Sequence, residues 1–142
     1  MKIYLAARTR HTEKLLQIAE FLIGQGHAIT SDWIYVNENL KPFSEHLTRV
    51  QEIANHNVEQ MLKSDLLILF NDVGGKDTFT EFGVCLGASV ALNKNFKLYC
   101  VGKREEATIL QFHSKVKHCS TLEEVFEGEE IDYKNFVIPS LE

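Results

Sequence analysis

The sequence has no apolar run approaching the roughly 18 residues of a membrane span, so no membrane partner is expected. It also has no excess of positive charge. Against 20 aspartates and glutamates stand 15 lysines and arginines, a formal charge of −5, which argues against a nucleic acid polymer as partner. A nucleoside or nucleotide in a local pocket stays possible. Cysteine is sparse: Cys85, Cys100 and Cys119 are far apart, odd in number and never in a CxxC pair. Neither a disulfide framework nor a zinc site is indicated, and a reducing, cytoplasmic setting is expected. The six histidines form no HExxH and no paired spacing, and no third ligand joins Asp72 and Asp77, so no metal is expected. The first turn reads AARTRHT and lacks GxGxxG, and GxxxxGK[ST] occurs nowhere, which makes NAD and ATP poor candidates; no cofactor is expected. Internal repeats, linkers and low-complexity tracts are absent too.

What is present suits a single domain over residues 1–142. Hydrophobic residues make up 44% of the chain, enough for a core without staples. MKIYLAART has one basic residue and a short apolar run before Arg8, which reads as a buried strand and not as a signal peptide. A strand over 2–7 is followed by a helix capped by Thr12, with Leu15, Leu16, Ala19, Phe21, Leu22 and Ile23 as its apolar face and Gly24 and Gly26 at its end. A second strand is expected over 28–33, then a loop over 35–43 containing Pro42. Ser44 reads as the cap of a helix over 45–63, in which Leu47, Val50, Ile53, Ala54, Val58, Met61 and Leu62 recur every three or four residues. Strands over 65–70, 96–101 and 116–119 alternate with a helix over 78–92, a short helical stretch over 107–113 and a last helix from Thr121. The tail after about residue 127 is acidic and weakly patterned, and its Tyr133, Phe136, Val137 and Ile138 are expected to dock on the body or on a neighbouring subunit. The alternation predicts an α/β fold: a doubly wound, five-stranded, mostly parallel sheet of order 2-1-3-4-5, flavodoxin/Rossmann-like.

The chain is organised around residues 64–87, SDLLILFNDVGGKDTFTEFGVCLG, which reads as strand, loop and helix. Gly74 and Gly75 let the backbone turn sharply and approach a ligand, and Glu81 falls in the first turn of the following helix. There the helix N-terminus favours the anion by up to about 1 kcal/mol, so the carboxylate is expected to stay ionised, as a nucleophile requires. In such sheets ligands bind beyond the strand ends between strands 1 and 3, which selects residues 6–10, 71–81 and 102–104. Rise per residue adds Asn57: roughly eight helical residues before Asp65 match most of the height of strand 3, so the earlier half of that helix overhangs the site. Asn55, His56 and His46 then become candidates for its wall. Tyr4 and Trp33 read as core. Gly83, Gly87 and Ala91 recur every four positions and permit close helix packing, including a dimer seam.

IYLAAR in the first strand, GHAITSDW in the second, SDLLILF in the third, GG followed by TEFGVCLG, and then KLYCVG together resemble the nucleoside 2-deoxyribosyltransferase superfamily, including the deoxynucleoside monophosphate N-glycosidases. The match runs to about Phe126. It implies cleavage or transfer of the bond between a sugar and a nucleobase, with Glu81 attacking the anomeric carbon and a glycosyl ester resolved by another base or by water. It puts Ala7 and Arg8 near the sugar 5′ end, and Gly74, Gly75 and Asp77 towards the sugar. Asn57 stands where better-known relatives carry an aspartate, and an amide cannot exchange a proton. Either Asp72, Asp77 or His56 takes the proton, or the chain is a nucleotide-binding or sensing module with little or no catalysis. Hydrolysis of another N-ribosyl compound is a third reading. AARTRH lacks the glycine-serine pair with which monophosphate-cleaving relatives hold phosphate, although Arg8 and Arg10 could still pair with one. The resemblance also implies a small-molecule nucleoside or nucleotide as partner and a homodimer or higher homo-oligomer, with residues 107–112 completing a neighbour's pocket.

Overall fold

Five short apolar runs lie side by side in one parallel sheet, because each is followed by a stretch that covers a face of its neighbour. The computed structural model describes residues 1–141. The elements are β1 (Lys2–Ala6), α1 (Thr12–Gly24), β2 (Ala28–Ile29), α2 (Leu47–Lys63), β3 (Leu66–Phe70), α3 (Lys76–Ala91), β4 (Lys97–Val101), β5 (Val116–Cys119) and α4 (Leu122–Gly128). The sheet order is β2-β1-β3-β4-β5 with all pairs parallel, as the sequence predicts.

Alternation along the strands divides the core in two. Ile3, Leu5, Ile68, Phe70, Tyr99 and Val101 pack with α1, α4 and the tail. Tyr4, Ala6, Leu67, Leu69, Leu98 and Cys100 pack with Met61 of α2 and Phe82, Cys85 and Leu86 of α3. All of β3 is buried, which is why its sequence is continuously apolar instead of alternating. Burial of each such leucine contributes about 2 kcal/mol. The tail docks on this chain: the Phe136 ring stacks on Phe21 at 4.1 Å, the Tyr133 hydroxyl donates to Glu127 at 2.7 Å, and the Lys14 ammonium donates to the Ser140 carbonyl.

Several local expectations are corrected. The second strand ends at Ile29 because side chains take over its ladder: Ser31 Oγ accepts from the Leu5 N–H at 2.9 Å and Trp33 Nε1 donates to the Leu5 carbonyl at 3.1 Å. Residues 32–35 then close into a 3₁₀ turn, as do 43–45 and 109–112. Thr12 is the first residue of α1 and not its cap, its hydroxyl donating back to the Thr9 carbonyl at 2.6 Å. Ser44 lies within a 3₁₀ turn, and His46 precedes α2. Finally, α3 begins at Lys76, two residues early, with Gly75 at its cap, so Glu81 sits in the second turn and Asp77 in the first. No helix among the described residues is long and apolar enough to cross a membrane.

Candidate functional site

The loops leaving β1 and β3 meet at the carboxyl end of the sheet, and Asp72 ties them together. Its Oδ1 accepts from Arg8 Nη1 at 3.0 Å and from the Gly74 N–H at 3.1 Å. Its Oδ2 lies 2.5 Å from Arg10 Nη2 and 3.3 Å from His11 Nε2. Burial alone would raise the Asp72 pKa, but the Gly74 N–H, Arg8, His11 and Arg10 outweigh it and hold the carboxyl down at about 2. At neutral pH Asp72 is therefore ionised and has no proton to give.

The glycines of this loop serve close approach, not unusual dihedrals. A Cβ on Gly74 would stand 2.6 Å from Arg8 Nη1, and one on Gly75 would stand 3.0 Å from the Asp72 carbonyl. Neither has a positive φ. The atom that Gly74→Ala would strike is the end of a flexible side chain, so Arg8 can swing away while the fold holds. The expected outcome is a melting temperature within a few degrees of the parent and a weakened hold on whatever ligand Arg8 contacts, read as a rise in its dissociation constant.

One layer away, β1 and α3 bring together Tyr4 and Glu81. Tyr4 is fully buried, and its hydroxyl donates to Glu81 Oε1 at 3.1 Å. Tyr4 does belong to the core, as its sequence context suggests, but it also carries the polar contact that orients Glu81. Nothing in an apolar strand marks one tyrosine for that role, since the partner is 77 residues away. The expectation that Glu81 stays ionised is overturned. Burial pushes its carboxyl up to about 8; the Tyr4 hydroxyl opposes this, and the charge of Asp77, one turn earlier on the same helix face, adds to it. Being in the second turn, Glu81 also lies beyond most of the helix-terminal field on which that expectation rested. Tyr4→Phe removes the one contact that favours the anion, so the Glu81 pKa rises further. A pH titration of Glu81 by carbon NMR should show that upward displacement. Cys85, one turn further along α3, offers no competing thiolate, because burial and the Glu81 charge push it up to about 12.

Asn57 faces a cavity of about 400 Å³ between α2 and the 3₁₀ turn over 32–35, lined by Asp32, Trp33, Val36, Arg49, Glu52, Ile53 and His56 as well. His56 Nε2 lies 2.6 Å from Asp32 Oδ2, and the Glu38–Arg49 ion pair joins the preceding loop to α2. Of the other wall candidates, Asn55 and His46 do not line this cavity. A second cavity of about 500 Å³ lies over the ends of β3 and β4 on the tail side, between Arg10, Asp72, Gly102 and Lys103 and the tail residues Ile138 to Leu141.

The sequence candidates thus fall into three neighbourhoods. Arg8, Arg10, Asp72 and Gly74 form one cluster, with Gly75 capping α3 beside it and the Ala7 methyl turned into the core. Glu81 lies on α3 against the Tyr4 hydroxyl, with Asp77 one turn earlier on the same helix. Asn57 lies on α2 and shares a cavity with Trp33 of the 3₁₀ turn over 32–35. His11 and Asp32 were missed, since each acquires its partner only through the fold.

No protein-family model matches the chain, and no characterised relative matches it by sequence. Solved structures do. The CMP N-glycosidase BcmB of Clostridium botulinum is similar with a TM-score of 0.57 at 17% identity, over 93% of this chain and 100% of that one. A 2-deoxyribosyltransferase of Bacillus psychrosaccharolyticus is similar with a TM-score of 0.58 at 18% identity, over 99% of this chain and 100% of that one. The chain therefore has the α/β fold of an N-glycosidase and of a 2-deoxyribosyltransferase, the fold that its sequence resemblance implied.

Proposed function

We propose that this protein cleaves or transfers the N-glycosidic bond of a (2′-deoxy)nucleoside or its 5′-monophosphate, with Glu81 as nucleophile. The observation that carries the reading is Glu81 itself: a carboxyl on α3, fixed by the Tyr4 hydroxyl at 3.1 Å, in the fold of two enzymes named for sugar–base bonds. A Glu81 oxygen forms a bond to the anomeric carbon as the bond to the base nitrogen breaks, and the base departs with the electron pair and takes up a proton. Water or a second base then attacks the same carbon and frees the carboxylate. The developing positive charge on the sugar is stabilised by Glu81, with Asp77 one turn away adding negative potential. The cavity beside Trp33 and Asn57 has the character a nucleobase needs, an aromatic wall and an amide able both to donate and to accept.

For the proton on the departing base, Asp72 is unsuited because it is ionised down to about pH 2. His56 is the candidate that lines the same cavity as Asn57. The open stripe of Gly83, Gly87 and Ala91, where a Cβ on either glycine would meet nothing within 4 Å, supports a homodimer or higher homo-oligomer. Exposed Ile109, Leu110 and Phe112 supply apolar area for the same purpose. The test is chromatography of ribo- and 2′-deoxynucleosides and their 5′-monophosphates after incubation with the protein, with and without a second free base. Free base is the expected product, and a new nucleoside appearing only with added base identifies a transferase. Return of every substrate intact, under conditions where binding is measured independently, would leave a binding or sensing module as the better reading.

A further inference from the structure

We infer that the cavity under the tail, over the ends of β3 and β4, is a second ligand site, and that it takes an uncharged planar base with a donor beside an acceptor, of the adenine type. The site lies outside the N-glycosidic reading and does not depend on it. At about 500 Å³ the cavity has the size that small molecules occupy. Phe70 and Val101 line it, and both belong to the core layer of α1, α4 and the tail, whereas Tyr4 holds Glu81 in the other layer. The sheet therefore stands between this cavity and Glu81. In doubly wound sheets ligands bind beyond the carboxyl ends of the strands, and this cavity lies there, away from the crossing between β1 and β3. Ile138 and Leu141 of the tail close it, and the tail is fixed in that position by Phe136 against Phe21 and by the Lys14 ammonium on the Ser140 carbonyl.

Asn71 supplies the polar signal. Its side chain is part of the lining, and neither its amide nitrogen nor its amide oxygen has a partner in the protein. Buried polar groups left unpaired are costly, so an orphaned amide beside a cavity points to a partner from outside the chain. Gly102 keeps room for that amide: a Cβ there would press on the Asn71 Cβ at 3.4 Å, and its φ of +118° disfavours any side chain. A carboxamide presents one donor and one acceptor in a plane. Its complement is a ring edge with an acceptor and a donor side by side, as N7 and the 6-amino group of adenine offer. Charge points the same way. Arg10 and Lys103 stand against Asp72, Glu106 and Glu123 in the lining, two positive groups to three negative, which disfavours a phosphate and suits a neutral ring carrying an amino group. Apolar side chains at Phe70, Val101, Leu122, Ile138 and Leu141 supply the surface on which a flat ring packs.

The test is an NMR titration of the parent protein with 9-methyladenine, which has no sugar and cannot be turned over, and with 9-methylpurine, which lacks the amino donor. Methyl signals of Leu122, Ile138 and Leu141 and the side-chain amide of Asn71 report on this cavity, and the Trp33 indole reports on the one beside α2. 9-Methyladenine should shift the first set saturably at millimolar concentration or below. 9-Methylpurine should bind at least about tenfold more weakly, because it leaves the amide oxygen without a donor. Asn71→Leu removes the orphaned amide and should melt no lower than the parent while losing the response. Ile138→Trp fills the cavity from the tail and should lose it too, which keeps a variant in hand if Asn71→Leu does not fold. Shifts confined to the Trp33 indole, equal affinity for the two compounds, or no shift up to the solubility of 9-methyladenine would each overturn the inference. Release of base by the parent is a separate measurement, so the N-glycosidic reading stands or falls apart from this one.

Discussion

Replacing Glu81 by alanine is expected to reduce release of free base by at least about 10³-fold, some 4 kcal/mol of transition-state stabilisation, with the fold retained. On the proposed mechanism the loss should fall on kcat more than on KM, because the bond it draws from Glu81 to the anomeric carbon forms only beyond the ground state. Glutamine should be nearly as inactive, since an amide keeps the shape and the contact with Tyr4 but not the nucleophile. The pH dependence carries further information. A carboxyl raised to about 8 is mostly protonated in the free protein at pH 7, so kcat/KM should rise with pH and level off above about 8. Activity that is flat across this range, or that survives Glu81→Gln, would assign the nucleophile elsewhere. Stability moves in the opposite direction. The folded state holds the Glu81 proton more tightly than the unfolded chain, so between the ordinary glutamate value and about 8 stability falls as pH rises. Glu81→Gln removes that loss and should melt higher than the parent at pH 8 to 9, by an amount on the order of a few kcal/mol.

Asp72 is expected to have the second largest effect, and its sign with pH is reversed. Its folded value of about 2 lies below the ordinary aspartate value, so its contribution is complete above about pH 4 and is lost as pH falls towards 2. On that linkage the carboxylate contributes less than about 2 kcal/mol at neutral pH, because Arg8 and Arg10 are exposed and solvent screens their hold on it. Asp72→Asn should lower the midpoint of urea unfolding at pH 7 by a corresponding amount and flatten the acid limb of stability between pH 4 and 2. Arg8 and Arg10 limit the damage because both reach solvent and can turn to water, which a fully enclosed pair could not do. An acid limb of unchanged steepness would show that the cluster does not hold Asp72 in the way its geometry indicates.

The sequence by itself determined the sheet. Apolar runs of about five residues separated by helical periodicity leave few topologies, and a parallel strand buried on both faces has to read as LLILF does. Glycines at 74 and 75 and a glutamate at 81 were also legible as a strand–loop–helix junction of the kind that carries ligands. The start of α3 was not, because Gly75 caps it without a side-chain hydrogen bond and so leaves no polar signature to read. The second strand is shorter than its sequence pattern for a related reason: Ser31 and Trp33 satisfy Leu5 through side chains, and sequence does not distinguish a ladder bond from its substitute. What only the tertiary structure decided are the charges. Whether Glu81 is ionised depends on how much water the packed layers of β1 and α3 exclude, and on a tyrosine 77 residues away. Whether Arg8 and Arg10 are free to receive an anion depends on Asp72, more than 60 residues from either. Periodicity is a local property and survives in the sequence; solvation and ion pairing are sums over neighbours that exist only once the loops have met.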